Sequence, residues 1–296
     1  MKAMILAAGL GTRLRPLTND RPKALVTVAG RTLLEITFRR LRAFGVREVI
    51  VNTHHYAEMI EEYLTANRNF GMRIEISREE ALLDTGGGLK KAAHFFLEGG
   101  ESAQEPFLLH NVDVLSTIDL ERMVRFHEQQ GALATLAVQE RETSRYLLFD
   151  ENGLLCGRRA GRDGAEELAR TARQRHALAF SGIHVLSSQI FAKMGEKGAF
   201  SIIPSYLNLA ARGETITAFR ADECYWRDLG RPESIVQAAE DVDSGKYRIG
   251  WPDRGMLNPQ DERTRQRITE QERSTNEATG NDRRKLLHPH RDRHPQ

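Results

Sequence analysis

Along the first 140 residues, apolar and polar positions switch between two periods. Ala3–Ala8 is a short continuous apolar run, as in a strand covered on both faces. Leu34, Phe38 and Leu41 then follow helical spacing, with Gly45 placed to cap that helix. Val46–Asn52 reads as a second buried strand, His55–Leu64 as a helix with Met59, Ile60 and Tyr63 inward, and Met72–Ser77 as an alternating strand. Gly88–Phe96 reads as a helix opening on three glycines, and Phe107–Leu115 as a further strand. Asp119 is the expected N-cap of a helix over Leu120–Gln130, Gly131 closes it, and Ala132–Val138 returns as a strand. Repeated strand–helix–strand units predict an α/β fold: Rossmann-like, doubly wound, with a mixed, mostly parallel sheet and right-handed crossovers.

The texture changes after residue 140. Tyr146–Phe149 and Leu154–Gly157 flank Asp150-Glu151-Asn152-Gly153, and Asn-Gly predicts a hairpin there. Residues 158–176 are charged and glycine-containing and read as a mobile excursion, within a variable insert over 140–176. Ala177–Leu186 is a predicted strand, Ile202–Arg212 a helix, and Ile216–Trp226 a strand or strand pair. Pro232 sits where a helix over Glu233–Asp243 tolerates it. From Gly250 the chain is rich in Arg, Glu, Asn, Thr and Pro, with Trp251 the only aromatic. Such a segment buries too little to offset its ordering entropy, so 250–296 is expected to be a disordered tail behind a folded domain over 1–249. His288, His290 and His294 within it read as solvated rather than metal-binding.

Composition narrows the class. The chain has 296 residues, 40% of them hydrophobic, enough for one large domain or two small ones. No apolar run reaches the roughly 18 residues of a membrane span, so no membrane partner is expected. The N-terminal run is too short for a secretory signal and ends in a glycine loop. The two cysteines, Cys156 and Cys224, lack metal-type spacing; reduced thiols and a cytoplasmic location are expected, a disulfide being the lesser alternative. The net charge of +2 falls from Gly250 onward, where 10 Lys+Arg face 8 Asp+Glu. The balanced remainder argues against nucleic acid as a partner.

The candidate chemistry begins at Gly9-Leu10-Gly11-Thr12-Arg13-Leu14, directly after the first strand. Glycines let consecutive amides approach an anion, but a plain strand-to-helix turn reads the same way. A dinucleotide fingerprint wants glycine where Leu14 stands, and a P-loop wants Gly-Lys-Ser/Thr, which is absent. The continuation Arg13-Leu14-Arg15-Pro16-Leu17-Thr18, followed by Arg21-Pro22-Lys23, distinguishes the segment. Two further glycine and carboxylate segments stand out. Leu83-Asp84-Thr85-Gly86-Gly87-Gly88 precedes a helix, and Asp113 ends an apolar strand, the ligand-binding edge of an α/β sheet. Asp228 precedes a glycine turn far downstream.

Gly-x-Gly-x-Arg-Leu-x-Pro-x-Thr with Pro-Lys behind it resembles the signature of the sugar-phosphate nucleotidyltransferases, or NDP-sugar pyrophosphorylases. With Leu-Ala-Ala-Gly, Leu-x-Thr-Gly-Gly-Gly, Asn-x-Asp-Val and Phe-Ser-Gly-Ile, the chain looks closest to the N-acetylmuramate 1-phosphate uridylyltransferase branch. Mannose and heptose 1-phosphate guanylyltransferases share much of this pattern. The resemblance covers roughly residues 1–245. It implies a glycosyltransferase-A-like nucleotidyltransferase fold, Mg²⁺ as cofactor, and an NTP and a sugar 1-phosphate as substrates for cell-envelope sugar nucleotides. It places Leu6, Ala7, Ala8, Gly9, Gly11, Thr12, Arg13 and Lys23 on the nucleotide, with Gly86 and Gly87 beside the base. Arg13 suits the β- and γ-phosphates and Lys23 the α-phosphate. Asp113 and Asp228 would hold the metal; with Arg13 and Lys23 they would carry catalysis. Asn111, Gly182 and Trp226 would meet the sugar phosphate, Trp226 by stacking.

Two positions depart from the family form: Ala24 replaces a second proline, and Val112 replaces a glycine before the aspartate. His110 reads as a satisfied, half-buried histidine. Two other classes stay open: transfer to a non-sugar phosphate such as phosphocholine, and sugar-nucleotide binding without turnover. The base, the sugar and whether the chain forms a homo-oligomer are unread.

Overall fold

The computed structural model describes residues 1–98, 105–161 and 163–248. The expected tail and its histidines lie outside the described residues. The first half runs β1 (Lys2–Leu6), β2 (Thr27–Val28), β3 (Arg31–Thr32), α1 (Leu33–Ala43), β4 (Glu48–Thr53), α2 (Ala57–Ala66), β5 (Arg73–Arg78), α3 (Asp84–Lys91), α4 (Ala93–Leu97), β6 (Phe107–Asn111), β7 (Val114–Ser116) and α5 (Leu120–Gln130). The second half adds β8 (Ala134–Gln139), β9 (Arg145–Phe149), β10 (Leu155–Ala160), β11 (Glu166–Leu168), β12 (His176–Leu186), α6 (Ile190–Lys193), α7 (Ile202–Ala211), β13 (Ile216–Arg220), β14 (Trp226–Asp228) and α8 (Pro232–Asp243).

A ten-stranded mixed sheet runs in the order β11-β10-β9-β12-β6-β1-β4-β5, with β8 on β12 and β13 on β8. Strands β6, β1, β4 and β5 are parallel, as the strand–helix–strand pattern predicts. Strand β12 runs antiparallel to β6, β8 and β9. Alternate residues of the parallel strands enter two cores. Ala3, Ile5, Val49 and Val51 face one with Phe38 and Leu41 of α1, while Met4, Ile50 and Leu109 face the other with Leu89, Phe95 and Tyr206. Both faces are covered, which is why these strands read as unbroken apolar runs. Each fully buried leucine-sized side chain contributes roughly 1.5–3 kcal/mol.

Local signals set the ends. Thr32 caps α1, its hydroxyl accepting from the Glu35 amide at 3.0 Å. Asp119 caps α5 in the same way, accepting from the Arg122 amide at 3.0 Å, and Gly131 closes it with φ +54°.

Three sequence expectations change. The helix expected at Gly88 begins at Asp84, so its glycines lie inside the helix, and it breaks at Ala92. Tight packing against the 198–200 segment sets that start, not intrinsic propensity. The strand expected over Phe107–Leu115 divides at Val112 and Asp113, because β7 leaves the main sheet to pair with β14. The segment 158–176 is not an open excursion: β10 extends to Ala160 and pairs with β11, fastened by Arg158 and Glu167. The β2–β3 hairpin has no counterpart in the reading of the sequence. Both cysteines are free thiols, which removes the disulfide alternative. Among the described residues, no helix is long and apolar enough to cross a membrane.

Candidate active site

The parallel strands end in one row: Ser77, Asn52, Leu6 and Asn111 are register partners across β5, β4, β1 and β6. Beyond this carboxyl-terminal edge, where open α/β sheets bind ligands, the chain leaves β1 through the glycine loop. The Ala7 amide donates to Asn52 Oδ1 at 2.7 Å. Gly11 has φ +63°, and a Cβ there would stand 3.0 Å from Thr18 Cγ2 and 3.1 Å from Lys23 Cβ. Thr18 in turn donates from its hydroxyl to the Gly11 carbonyl at 2.9 Å. The signature glycine, threonine and lysine are therefore one packed unit. Leu14, fully buried, anchors the loop to the core, and Lys23 opens a short 3-10 turn over Lys23–Leu25. Ala24 is fully buried in that turn, consistent with a shaping role for its position.

The two aspartates reach the same edge on different strands. The Val112 amide donates to the Leu6 carbonyl at 3.2 Å, and Val112 stays outside the positive-φ region, so valine fits where the family form has glycine. Asp113, with 13% of its side chain exposed, accepts from the Lys23 ammonium. In the β7–β14 ribbon, Asp228 pairs with Val114. The Leu229 amide donates to the Asp113 carbonyl at 2.8 Å. Asp228 Oδ1 accepts from the Gly230 amide at 2.9 Å. A Cβ on Gly230 would lie 3.0 Å from Arg13 Nη2, which puts the exposed Arg13 guanidinium beside Asp228.

A cavity of about 270 Å³ opens at this edge. Leu6, Ala7, Ala8 and Gly9 form one wall, with Lys23, Asn111 and Asp113 beside it. Thr12, Arg13, Gly182, Trp226 and Asp228 are not among the residues lining it. Gly11 is not among them either; it acts by packing Lys23 into place. Gly86 and Gly87 are not brought to the cavity. Both amides donate to the Phe200 carbonyl, and side chains there would run into Phe200 and the Gly198 carbonyl. They dock α3 on the segment before α7, and the residues that reach the cavity from this loop are Leu82, Asp84 and Thr85.

Sequence reasoning missed Asn52 and Glu79, which line the far wall. Glu79 is 2% exposed; its Oε1 accepts from Asn52 Nδ2 at 2.8 Å and its Oε2 from the Leu83 amide at 2.9 Å. Gly88 makes this possible, since a Cβ there would sit 2.7 Å from Glu79 Oε1. The available signal was a polar residue ending an apolar strand, as Asn111 also does.

On the opposite side, Gly182 lies at a register shift in β12 with φ +73°, and a Cβ on it would approach Asn111 Nδ2 to 2.9 Å. His110 is fully rather than half buried. Its Nε2 meets Arg40 Nη1 at 2.9 Å and its Nδ1 meets the Asn111 carbonyl at 2.7 Å. Burial, then the Arg40 charge, pushes His110 down to about 3. The ring is neutral: Nε2 accepts from Arg40 and Nδ1–H donates to Asn111, steadying that strand end. Trp226 donates its indole N–H to the Ser181 carbonyl at 2.8 Å, and Arg141 Cζ covers one ring face at 3.5 Å from the centroid. That face is therefore closed to the sugar stacking expected of Trp226.

No cluster of three or more His, Cys, Asp or Glu side chains able to hold a metal occurs among the described residues. Asp113 and Asp228 form a smaller set of hard oxygen donors, joined through the Leu229 amide. Such a pair fits Mg²⁺, which usually takes one or two carboxylates and completes its shell with phosphate oxygens and water.

The profile of the nucleotidyl transferase family matches residues 2–245. The N-acetylmuramate alpha-1-phosphate uridylyltransferase of Caulobacter vibrioides is 35% identical over 245 residues, spanning 80% of this chain and 94% of that protein. The mannose-1-phosphate guanylyltransferase of Mycobacterium tuberculosis is 28% identical over 82% of this chain and 65% of its own length. Among solved structures, HddC from Yersinia pseudotuberculosis superposes with a TM-score of 0.64 at 22% identity, over 81% of this chain and 99% of that one. This likeness supports the shared fold.

Proposed function

This chain belongs to the nucleotidyl transferase family, and we propose that it joins an NTP to a sugar 1-phosphate, releasing pyrophosphate. UTP with N-acetylmuramate 1-phosphate is the favoured pair, and GTP with mannose or heptose 1-phosphate comes next. The observation that carries this reading is the convergence of Lys23 and Asp113 on the cavity behind the Gly9 loop. The uridylyltransferase relative, similar along nearly its whole length, supports the order of substrates.

In the proposed reaction, a phosphate oxygen of the acceptor attacks the α-phosphorus of the NTP. The new P–O bond forms as the bond to the β-phosphate oxygen breaks, and pyrophosphate departs opposite the attack. The attacking oxygen is already anionic, so the chain needs no nucleophile or strong base of its own. Its task is positioning and charge neutralisation. Lys23 has three N–H donors, and the one directed at Asp113 leaves others for the α-phosphate. Arg13 offers a planar fork to the β- and γ-phosphates. Gly9 has no protein atom within 4 Å of its Cβ position, leaving room for close approach of the triphosphate. Asn111 and Gly182 face the acceptor. Asp113 and Asp228 would hold Mg²⁺, which when bound supplies positive charge against the phosphate oxygens.

The test is pyrophosphate release with Mg²⁺, an NTP panel, and an acceptor panel of sugar 1-phosphates and phosphocholine. Release with sugar 1-phosphates, greatest for UTP and N-acetylmuramate 1-phosphate, is expected. Release with phosphocholine alone would replace the acceptor class, and none with any pair would leave the chain a binder without turnover.

A further inference from the structure

We infer that Arg141 is the acceptor-side anion clamp, gripping a phosphate or carboxylate group of the sugar 1-phosphate beside Asp228; the inference rests on the reaction proposed above. Arg141 follows β8 and reaches back to β12 and β14. Its Nη2 donates to the Phe180 carbonyl at 2.8 Å, and its Cζ stands 3.5 Å from the Trp226 ring centroid. The ring is itself fixed by its bond to the Ser181 carbonyl. Both side chains thus grip the register shift in β12 that presents Gly182 to Asn111.

The position of this cation matters. Trp226 and Asp228 are two residues apart on β14, so their side chains project from the same face of the strand. Arg141, stacked on Trp226, feels the charge of Asp228. Arg227 projects from the other face and is committed to Asp241 at 2.5 Å.

Arg141 is also short of partners. A guanidinium carries five N–H donors. One bond goes to Phe180, and Nε is buried with no hydrogen-bond partner among the described residues. Among those residues Arg141 makes no ion pair within 4 Å, whereas Arg158, Arg159 and Arg175 of the neighbouring ribbon all pair with Glu166 or Glu167. Burial draws Arg141 down to about 10 and the nearby charge of Asp228 offsets this only in part, so the cation is stripped of water with no carboxylate bonded to it. The reaction must bring a second polyanion to this side of Asp228, and a forked, partly dehydrated cation held on an aromatic ring suits it.

The test uses the full chain with Mg²⁺, comparing wild type, Arg141→Gln and Arg141→Lys. Binding of N-acetylmuramate 1-phosphate, mannose 1-phosphate and the NTPs is followed by tryptophan fluorescence, alongside KM, kcat and melting temperature. The expected result for Arg141→Gln is at least a tenfold loss of affinity and rise in KM for the sugar 1-phosphates, with NTP values within twofold. Arg141→Lys should recover part of the loss. A loss for both acceptors assigns the clamp to the phosphate, and a loss for N-acetylmuramate 1-phosphate alone assigns it to the carboxylate. Unchanged acceptor binding, or equal weakening of acceptor and NTP, would reduce Arg141 to a structural strut and overturn the inference. Acceptor binding by wild type without pyrophosphate release would instead sink the proposed reaction, with the binding comparison still deciding Arg141. A wild-type chain that binds neither sugar phosphate would end both.

Discussion

The backbone amide of Leu229 donates to the carbonyl of Asp113 at 2.8 Å, so the two chain segments that carry Asp113 and Asp228 are tied to each other by a backbone bond. Substituting either side chain leaves this bond intact. Asp228→Asn, whose amide oxygen can still accept from Gly230, is expected to keep the melting temperature of the parent, while Asp113→Asn also gives up the ion pair with Lys23 and should melt lower but remain folded. Each removes a negative charge from the place where Mg²⁺ would be held, and each should lower kcat by about a hundredfold or more, the scale seen when one preorganised electrostatic group is lost. Pyrophosphate release with thermal melts decides it; full activity in both variants would remove the metal assignment.

Gly9 and Gly11 separate the steric demands of the protein from those of a ligand. Gly11 sits at φ +63° with Thr18 and Lys23 pressed against its Cβ position. Gly11→Ala should cost about 1–2 kcal/mol and move Lys23, lowering stability and kcat together. A Cβ on Gly9 meets nothing within 4 Å. Gly9→Ala should then melt as the parent does, while the KM for the NTP rises several-fold because the methyl group occupies the path of the triphosphate. An unchanged KM would place the triphosphate elsewhere.

The central strands and helices were legible because burial on both faces leaves unbroken apolar runs, and because Thr32, Asp119 and Gly131 mark helix ends by local hydrogen bonding. Gly9, Lys23, Asn111 and Asp113 were legible as motif and meet at one cavity. What the sequence left out depended on contacts distant in sequence. Gly86 and Gly87 pack against Phe200 and Gly198, and nothing in their own segment encodes those partners. Arg141 carries no signal of its own in the sequence, because the ring it stacks on, Trp226, lies far along the chain. Asn52 and Glu79 form one wall only because the parallel register brings the ends of β4 and β5 together.

That wall yields a test of its own. Asn52 is fixed in orientation: Oδ1 accepts from Ala7, so Nδ2 must donate to Glu79. Glu79 must accept from both Asn52 and the Leu83 amide. Glu79→Gln replaces one acceptor with a donor and sets two donors against each other in a buried place, costing about 1–3 kcal/mol. The melting temperature should fall by several degrees and the KM for the NTP should rise more than kcat falls. Adding Asn52→Asp restores the pattern, because the new carboxylate accepts both from the Ala7 amide and from the carboxamide that Glu79→Gln introduces. Recovery in the double variant is the expected outcome; additive damage would mean that donor–acceptor matching is not what holds this wall.

Stability should also fall on mild acidification, through histidines the fold keeps neutral. His184, bonded to the Tyr206 hydroxyl at 2.8 Å, is pushed down to about 3 by burial, and His127, bonded to the Thr135 hydroxyl at 3.0 Å, to about 4. In the unfolded chain both titrate near 6.5. Below that value the unfolded chain binds protons that the fold refuses, so stability is lost as pH falls from 6.5 toward 4 and is unaffected above it. One pH unit below 6.5, each histidine costs about 1.4 kcal/mol. His110 adds a third contribution of the same sign. His94 is raised by its bond to Glu75 and opposes them, but its side chain is 56% exposed and water screens the effect. Carboxylates remain mostly ionised down to pH 5.5, so urea unfolding at pH 7.5 and 5.5 isolates the histidines. The unfolding free energy should drop by several kcal/mol between the two, and by about 1.4 kcal/mol less in His127→Gln, whose amide can still reach Thr135 but cannot take up a proton. Equal drops in the parent and His127→Gln would show that His127 is charged in the fold.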